Sequence, residues 1–184
     1  MNPSAELAPA VAAVEAGAWL ARAEAVVDLL ADGIEDNASL GFLLPVDRER
    51  IRRDWLVPVA ASLAAGRHLG WWAEDDRGLC GMVLLEAVAK QNAPHRAQVQ
   101  KLVVHRRCRR RGLGAALMAV VEAEALRRGR FLLELDTDDT AASVAFYRRL
   151  GWQDVGAIPD YSFSPEGALK GTRVFYKDLR QVAS

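Results

Sequence analysis

The chain has little of what would set it apart from ordinary globular proteins. It holds two cysteines among 184 residues, Cys80 and Cys108, and they form neither a CxxC pair nor a metal-ligand spacing. No run of about 18 apolar residues exists, so we expect no membrane-spanning helix. The start of the sequence does not resemble a signal peptide. These absences favour a reducing cytoplasm, with no metal and no membrane as partner.

The chain also has no net charge at neutral pH. Lys and Arg together number 24, and Asp and Glu together number 24, so the chain as a whole does not favour nucleic acid as a partner. Hydrophobic residues make up 51%. At this length they predict a single domain over residues 1–184 that needs no disulfide or metal to fold. Residues 1–16 are rich in Ala and are either loose or a short edge strand.

Hydrophobic periodicity predicts an α+β chain. Two helices come first, one from about Ala18 to Asp32 with Gly33 as its stop, and one from Asp47 to Gly66 with a kink or a break at Pro58. The later elements are strands His68–Glu74, Leu79–Ala89 and Ala97–Val104, a helix from Gly112 to Gly129, strand Phe131–Leu135, helix Thr140–Leu150, a segment Trp152–Ala157, a loop and strand Gly171–Lys177. A strand–helix–strand crossover in a largely antiparallel sheet is an α+β arrangement.

Positive charge is concentrated in one turn. An apolar strand ends at Val104, arginines follow at positions 106, 107, 109, 110 and 111, and a helix opens at Gly112-Leu113-Gly114. The first turn of a helix has N–H groups without internal partners, and the helix dipole adds positive potential there. A phosphate can therefore bind to the backbone, which the glycines leave accessible. We interpret this turn as a pyrophosphate site.

Two common nucleotide motifs do not fit this turn. The chain has no GxxxxGK[ST] segment, and Leu117 stands where the dinucleotide fingerprint has its third glycine. Two other interpretations stay open, namely a solvated basic turn before an ordinary helix and an arginine run that binds nucleic acid. The run is short and the net charge is zero, which disfavours nucleic acid.

A second motif lies about 30 residues further on, where the sequence reads Phe146-Tyr147-Arg148-Arg149-Leu150-Gly151-Trp152. In this order and spacing, the two motifs resemble those of the GNAT N-acetyltransferase superfamily, over roughly residues 79–178. There the turn binds the CoA pyrophosphate, and the tyrosine faces the CoA sulfur. The resemblance implies the GNAT acyl-CoA N-acyltransferase fold, a mixed and mostly antiparallel sheet with a splayed central strand flanked by helices. Segments such as Ser39–Phe42 and Ile158–Tyr161 are similar in pattern to tabtoxin-resistance-type small-molecule acetyltransferases.

The resemblance also implies acetyl-CoA as cosubstrate and a set of contacts for it. The expected cofactor-binding residues are Leu102, Val103, Val104, Arg109, Arg110, Arg111, Gly112, Leu113, Gly114, Ala115, Thr140 and Ser143. Thr140 stands where many members of the family have Asn. A backbone N–H, that of Leu102 or Val103, is expected to polarise the thioester carbonyl.

Two residues are expected to take part in the chemistry. Tyr147 is the candidate acid for the departing thiolate, by donating a proton or a hydrogen bond; its alternative role is a core aromatic. Asp136 is better placed than Glu134 or Asp138 to take the proton of the amine; its alternative role is in capping or turn formation. The expected substrate-binding residues are Ser39, Gln100, Asp136 and Tyr161.

The predicted function is transfer of an acetyl group from acetyl-CoA to a primary amine of a small molecule, such as an amino acid, toxin or antibiotic, by direct attack in a monomer or homodimer. Two alternatives stay open. One is acetylation of a protein or peptide, and the other is a module that binds acetyl-CoA without turnover. Tyr147 favours turnover. The acidic group near Asp136 would attract a cationic acceptor in either enzyme.

Overall fold

One seven-stranded sheet organises the protein in the computed structural model, which describes residues 9–182. The strands are β1 (Val11–Ala13), β2 (His68–Asp75), β3 (Gly78–Ala87), β4 (Arg96–Val104), β5 (Leu132–Asp138), β6 (Gln153–Phe163) and β7 (Leu169–Asp178). Their order across the sheet is β1-β2-β3-β4-β5-β7-β6. All neighbouring strands are antiparallel except β4 and β5, which are parallel. The predicted mixed, mostly antiparallel sheet is confirmed.

Helices cover both faces of this sheet. They are α1 (Ala16–Ala21), α2 (Ala23–Glu35), α3 (Arg48–Ile51), α4 (Val57–Ala64), α5 (Leu113–Arg127) and α6 (Ala141–Arg149). A π-helical turn at Arg52–Leu56 joins α3 to α4, and short 3-10 turns lie at Arg106–Cys108 and Leu179–Val182. Over the described part of the chain, no helix has the length and apolarity needed to cross a membrane.

Alternation along the strands separates two hydrophobic cores. On one face Trp71 and Val83 pack with α5. On the other face Trp72 and Met82 pack with helices α1 to α4, and Trp19 is fully buried among them. Because α5 follows β4 and packs on the sheet, its N-terminus lies beside the carboxyl end of β4.

Two predictions about the first helix were wrong. The helix is interrupted at Arg22, which divides it into α1 and α2. Gly33 lies buried inside α2 instead of ending it. A Cβ at Gly33 would come within 2.8 Å of Leu40 Cδ1, so the glycine leaves room for the following loop to pack back on the helix. By contrast, the expected cap at Asp47 is present, since its Oδ1 accepts the Arg50 N–H at 2.9 Å.

The prediction of a loop directly after Ala157 was also wrong. Strand β6 continues to Phe163, and the connection to β7 spans only residues 164–168. Pro159 is tolerated because β6 lies at the edge of the sheet and its register with β7 shifts between Ile158 and Ser162. At the opposite edge lies β1; residues 1–8 of the N-terminal segment lie outside the described residues.

The centre of the sheet opens between β4 and β5. They pair only where Arg96–Gln98 faces Leu132–Glu134, and beyond Gln98 they separate. Strand β4 also contains a bulge, where its register with β3 shifts between Met82 and Leu84 and Lys101 has a φ of 51°. Bulges bend a strand and change the direction of its side chains. The splayed central strand predicted from the family resemblance is confirmed.

Candidate active site

The opening between β4 and β5 is a cleft of about 830 Å³. Its walls are the end of β4, the arginine turn with the start of α5, the end of β5, α6 and the loop after α2. The predicted site residues that line it are Ser39, Gln100, Leu102, Val103, Val104, Arg109, Arg110, Gly112, Leu113, Gly114, Ala115, Asp136, Ser143 and Tyr147. The structure thus brings most of the sequence-predicted site together.

Three predicted site residues do not line this cleft. Thr140 caps α6, because its Oγ1 accepts the Ser143 N–H at 3.2 Å. Tyr161 lies on β6 with 55% of its surface exposed. Arg111 lies in the turn before α5, outside the cleft lining. The contacts predicted for these three residues with cofactor or substrate stay predictions.

The start of α5 has the geometry of an anion site. Gly112 precedes the helix with φ 81° and ψ −3°, a left-handed conformation that glycine adopts most readily. The first backbone bond of the helix joins Ala116 N–H to Gly112 O at 3.0 Å, and no side chain among residues 9–182 caps the first turn. The N–H groups of that turn therefore face the cleft end without a side-chain acceptor, which is the arrangement that binds phosphate.

The arginines of the turn divide into two groups, and the first group braces the fold. Arg106 donates from its backbone N and its Nε to the Asp32 carboxylate, at 2.9 and 2.7 Å. Arg107 pairs with Asp75 and donates to the carbonyls of Gly78 and Leu79, at 3.1 and 3.2 Å. The turn is therefore fixed to α2 on one side and to the β2–β3 hairpin on the other.

Both acceptor carboxylates are charged at neutral pH. Burial acts to raise the pKa of Asp32, but the hydrogen bonds from Arg106 outweigh it and the pKa lies below its usual range. Burial also opposes ionisation of Asp75, but hydrogen bonds from Arg107 and from the Arg77 backbone lower its pKa to about 2. The braces around the turn are thus charge-assisted hydrogen bonds, which are stronger than neutral ones.

The two cysteines lie in the same brace. The ligand atoms of Asp75, Cys80 and Cys108 are within 4.8 Å of one another, a spacing that a metal could use. Arg107 Nη1, however, lies 3.5 and 3.3 Å from the two sulfurs and pairs with the carboxylate. Burial is the main cause that raises the pKa of Cys80 to about 12, so this thiol stays protonated. A guanidinium is already the cation of this cluster.

The second group of arginines borders the cleft. Arg109 donates from Nε to Val104 O at 3.1 Å and pairs with Asp36. Arg110 is exposed and has a φ of 63°. Both line the cleft next to Gly112. Arg109 and Arg110 thus place positive charge at the cleft, while Arg106 and Arg107 hold the turn.

Tyr147 is the buried aromatic at the inner wall of the cleft. It is 8% exposed, and its ring lies 5.4 Å from that of Phe175 and 6.1 Å from that of Trp152. Burial raises the pKa of Tyr147 to about 12, and hydrogen bonding to Thr137 opposes that rise. The hydroxyl group is therefore protonated throughout the physiological range. Both roles expected for Tyr147, core aromatic and hydrogen-bond donor, are compatible with this placement.

The three acidic candidates for the proton acceptor differ in their surroundings. Glu134 pairs with Arg96 and does not line the cleft. Asp138 lines the cleft, and its Oδ2 accepts the Ser39 N–H at 3.2 Å. Asp136 is exposed to the cleft and accepts only from the Thr172 hydroxyl, at 3.3 Å, among the contacts found within residues 9–182. Its carboxylate has the most freedom of the three to meet an amine.

Two cleft residues were missed by the sequence analysis. Phe146 packs against the first turn of α5; it was noted only as part of the motif around Tyr147. Lys101 lines the cleft and donates from Nζ to Leu40 O at 2.7 Å. No sequence signal pointed to Lys101, because its orientation depends on the bulge in β4.

The predicted substrate contacts Gln100 and Ser39 differ in their availability. Gln100 Nε2 donates to Glu86 Oε2 at 2.7 Å and to Gln98 Oε1 at 3.3 Å, so this amide is held by its neighbours. The hydroxyl of Ser39 is buried and has no hydrogen-bond partner within the described part of the protein. Buried polar groups are rarely left unpaired, so Ser39 Oγ is the more available group.

The cleft fits an extended thioester that carries a diphosphate. An uncapped helix start and two arginines lie at one end. Along β4, the edge beyond Gln98 has lost its partner strand β5, which leaves backbone groups to bind amides. A buried phenol and the exposed carboxylate of Asp136 lie at the other end. Each part of such a ligand thus meets a group of matching chemistry.

Comparison with known proteins agrees with this geometry. The model of the family described as "Acetyltransferase (GNAT) family" matches residues 34–152, which is more than half of the chain. The match begins at Ile34, in the last turn of α2, and includes the whole of the arginine turn and the motif around Tyr147 as far as Trp152.

Solved structures share the fold at low sequence identity. An N-acetyltransferase from Staphylococcus aureus Mu50 has a TM-score of 0.75 at 13% identity, over 92% of this chain and 98% of that one. The putative acetyltransferase yncA from Salmonella typhimurium, solved with its cofactor acetyl-CoA, has a TM-score of 0.71 at 15% identity, over 93% and 94%. A ribosomal-protein-alanine N-acetyltransferase from Brucella melitensis has a TM-score of 0.70 at 20% identity, over 92% and 99%.

Proposed function

The chain belongs to the acetyltransferase (GNAT) family, and on that premise we propose that it transfers the acetyl group of acetyl-CoA to a primary amine of a small molecule. The family makes it an acetyl-CoA-dependent N-acetyltransferase. One observation carries the finer proposal. One end of the cleft has the uncapped helix start that suits a diphosphate, and the other end presents the exposed carboxylate of Asp136. No comparison tests the resemblance to tabtoxin-resistance-type enzymes, which stays a prediction.

The chain would hold acetyl-CoA with groups already described. The N–H groups at the start of α5, with Arg109 and Arg110, bind the diphosphate. The unpaired edge of β4 at Leu102, Val103 and Val104 binds the amide-bearing arm. Bound acetyl-CoA supplies the activated thioester. Holding both reactants in one cleft provides much of the acceleration, on the order of 7–11 kcal/mol for well-oriented reactions.

Tyr147 acts by hydrogen bonding in this proposal. Its pKa of about 12 lies well above the ~8.5 of a simple thiol. Full proton transfer from the phenol to a departing thiolate is therefore uphill. A hydrogen bond from the phenol to the sulfur stabilises the negative charge that develops as the C–S bond breaks. The hydroxyl stays protonated, and the proton that finally rests on the thiol comes from the amine or from solvent.

Asp136 is the proposed proton acceptor for the amine. A primary amine in water is mostly protonated at neutral pH, so it must lose a proton before its lone pair can attack the carbonyl carbon. Asp136 is exposed in the cleft, where an ammonium group could reach it directly or through one water. A carboxylate also attracts the cationic form of the acceptor. In this proposal the Asp136 carboxylate first attracts the ammonium form of the acceptor and then accepts its proton.

The loop after α2 supports a small acceptor. It is tied to the sheet at three points: Ser39 N–H to Asp138, Leu40 O to Lys101 and Asn37 O to Lys170 Nζ at 3.2 Å. A loop fixed on both β4 and β7 narrows the acceptor side of the cleft. The similar ribosomal-protein-alanine N-acetyltransferase supports the second candidate, acetylation of a protein or peptide.

The experiment measures thiol release from acetyl-CoA with a panel of amines that includes amino acids, amine-bearing antibiotics and short peptides. We expect turnover with at least one small amine and a large loss in Asp136→Asn. Glu134→Gln is the matched control, because Glu134 is on the same strand but outside the cleft lining. Turnover with peptides alone would favour the second candidate. CoA binding without turnover on any member would overturn both.

A further inference from the structure

Lys101 helps to tie the loop after α2 to the sheet, but the proposed function does not use its positive charge. It lies at the bulge of β4 with a φ of 51°. A non-glycine residue in this left-handed region is uncommon and carries a conformational cost. The side chain of Lys101 lies at the cleft because the bulge changes the direction of the side chains that follow it, relative to a regular strand. The strained backbone of Lys101 thus places a half-buried cation at the cleft, which calls for a functional explanation.

The hydrogen bonds of Lys101 are incomplete. Its ammonium group has three donors, and one of them is used by Leu40 O at 2.7 Å. The ring of Trp55 lies 6.0 Å from Nζ, at the limit of a cation–π contact. Within residues 9–182, no carboxylate oxygen lies within the 4.0 Å that defines an ion pair with Nζ. The charge is therefore held in the cleft without an anionic partner.

Burial disfavours this charge. It lowers the pKa of Lys101, and the charge of Asp136 acts in the opposite direction. An anion bound in the cleft would repay the cost of burying the ammonium group. A second group in the same loop has unused hydrogen-bonding capacity, since the buried hydroxyl of Ser39 has no partner among the described residues. Ser39 immediately precedes Leu40, whose carbonyl holds Lys101, and both line the cleft.

Opposite charges thus stand on the two diverging strands. Lys101 lies on β4 and Asp136 lies on β5, and both line the same cleft without forming an ion pair with each other. A ligand that joins an ammonium group to a carboxylate through a short carbon link would complement both. An acceptor with only an amine would leave Lys101 unpaired.

We infer that the acceptor is an amino-acid-like zwitterion, whose carboxylate binds the Lys101 ammonium group and the Ser39 hydroxyl while its amine faces Asp136. This inference rests on the proposed function and narrows its substrate class. Lys101 and Ser39 then determine specificity, and the amine that attacks the thioester is positioned by its own carboxylate. The residues that hold CoA are not involved in this discrimination.

The test compares matched pairs of amines, each an amino acid and the amine that lacks its carboxylate, by kcat/KM with acetyl-CoA. The carboxylate member should be preferred by about 10- to 100-fold, the range expected for charge-assisted hydrogen bonds. Lys101→Met should reduce this ratio towards one, and Lys101→Arg should restore part of it. Ser39→Ala should lower the ratio by a smaller factor. Equal use of both members by the wild type would overturn the inference.

Lys170→Met is the control for a purely structural role. Lys170 Nζ also holds a carbonyl of the same loop, Asn37 O at 3.2 Å, but it does not line the cleft. If Lys101 only braced the loop, the two variants would change the ratio alike, which would contradict the inference. Calorimetric titration with CoA and thermal melting report on folding and cofactor binding in each variant. If Lys101→Met does not fold, the preference of the wild type for amines that carry a carboxylate tests the inference by itself.

The two levels of failure have different signatures. Turnover that prefers amines without a carboxylate overturns the zwitterion inference and leaves the proposed function standing. Absence of thiol release with every amine, despite normal CoA binding, overturns the proposed function. As a second readout, N-acetylated amino acids should bind the CoA complex more tightly than N-acetylated amines, and equal affinities would count against Lys101.

Discussion

The ring of Phe146 fills the space that a side chain at Gly114 would need. A Cβ built on Gly114 would lie 3.3 Å from Phe146 Cζ and 3.5 Å from its Cε2. Gly114 is in the first turn of α5, and Phe146 lies on α6 next to Tyr147. The anion site and the buried phenol are therefore joined by direct packing. Packing of this ring is therefore a further reason for a small residue at Gly114, in addition to the predicted access of phosphate to its backbone.

This contact predicts coupling between the two positions. Gly114→Ala should lower both CoA affinity and kcat, because the ring must move by a few tenths of an ångström and α6 moves with it. In a Phe146→Leu background the same substitution should cost less. A double-mutant cycle on CoA affinity and thermal stability should give a coupling energy of about 0.5–3 kcal/mol. Strictly additive effects would show that the ring and the glycine act independently.

The charge at the helix start can be tested at Gly112. Its φ is 81° and a Cβ there would meet nothing within 4 Å, so Asn and Asp both fit with modest strain. Gly112→Asp should raise the Kd for CoA at least ~10-fold above that of Gly112→Asn, since the two differ only in a negative charge beside the diphosphate. The difference should shrink as salt is added. Equal Kd values for the two variants would refute the anion site.

The division of the arginines predicts two different phenotypes. Arg107→Gln should lower thermal stability by about 1–3 kcal/mol, because Asp75 and two carbonyls lose a half-buried charged donor. Arg110→Asn should leave the melting temperature nearly unchanged, as Asn tolerates the left-handed φ of 63°. It should weaken CoA binding and reduce its salt dependence. A stability loss in Arg110→Asn together with normal CoA affinity would reverse this assignment.

The ionised carboxylate of Asp32 should make part of the free energy of unfolding depend on pH in the acid range. Its folded-state pKa is lowered, with burial opposed and outweighed by the hydrogen bonds from Arg106. A lowered pKa stabilises the fold at pH values above the unfolded pKa of ~3.9 and loses that effect as pH falls through the folded pKa. Asp32→Asn should therefore be less stable than wild type at pH 7, by about 1–3 kcal/mol.

Urea unfolding of both proteins between pH 7 and pH 3 measures this effect. The gap in unfolding free energy should narrow below pH ~4 as the wild-type carboxylate becomes protonated. Glu124→Gln is the control for loss of an ion-paired carboxylate far from the arginine turn. Hydrogen bonds from Arg127 and Arg128, at the far end of α5, lower the pKa of Glu124 to about 2. This variant should alter stability without changing CoA affinity. A gap that is constant with pH would exclude the carboxylate as the brace.

Tyr147→Phe should lower kcat by about 10- to 100-fold, equivalent to about 1.4–2.7 kcal/mol in the barrier, with little change in CoA affinity. Tyr176→Phe is the matched control, since Tyr176 is 40% exposed on β7 and outside the cleft lining. Undiminished turnover in Tyr147→Phe would leave the residue with only its core role.

The pH dependence of stability provides an independent check on Tyr147. Its folded pKa is raised to about 12, so its contribution is complete below the unfolded value of ~10 and is lost as pH rises from there towards 12. The wild type should therefore lose stability over this window more steeply than Tyr147→Phe. Parallel curves for the two proteins would show that the phenol is not desolvated in the fold.

Much of the fold was predictable because local signals in the sequence agreed with one another. The alternation in β2, β3 and β4 and the apolar face of α5 gave their bounds to within a residue or two. Where predictions failed, the cause was packing between distant segments. Gly33 looked like a helix stop, but it lies inside α2 because Leu40 packs against it. Pro159 looked like part of a loop, but an edge strand with a register shift accepts it.

The candidate site divides in the same manner. The sequence by itself determined the arginine turn, the glycine helix start and the motif around Tyr147, because each depends on neighbours within a few residues. Only the tertiary structure decided which arginines brace the turn and which face the cleft, since their acceptors Asp32 and Asp75 are distant in the chain. It alone revealed Lys101, because a bulge sets the direction of that side chain through pairing with β3. Local backbone preferences are encoded in adjacent residues, whereas burial and charge pairing arise only when separate segments meet.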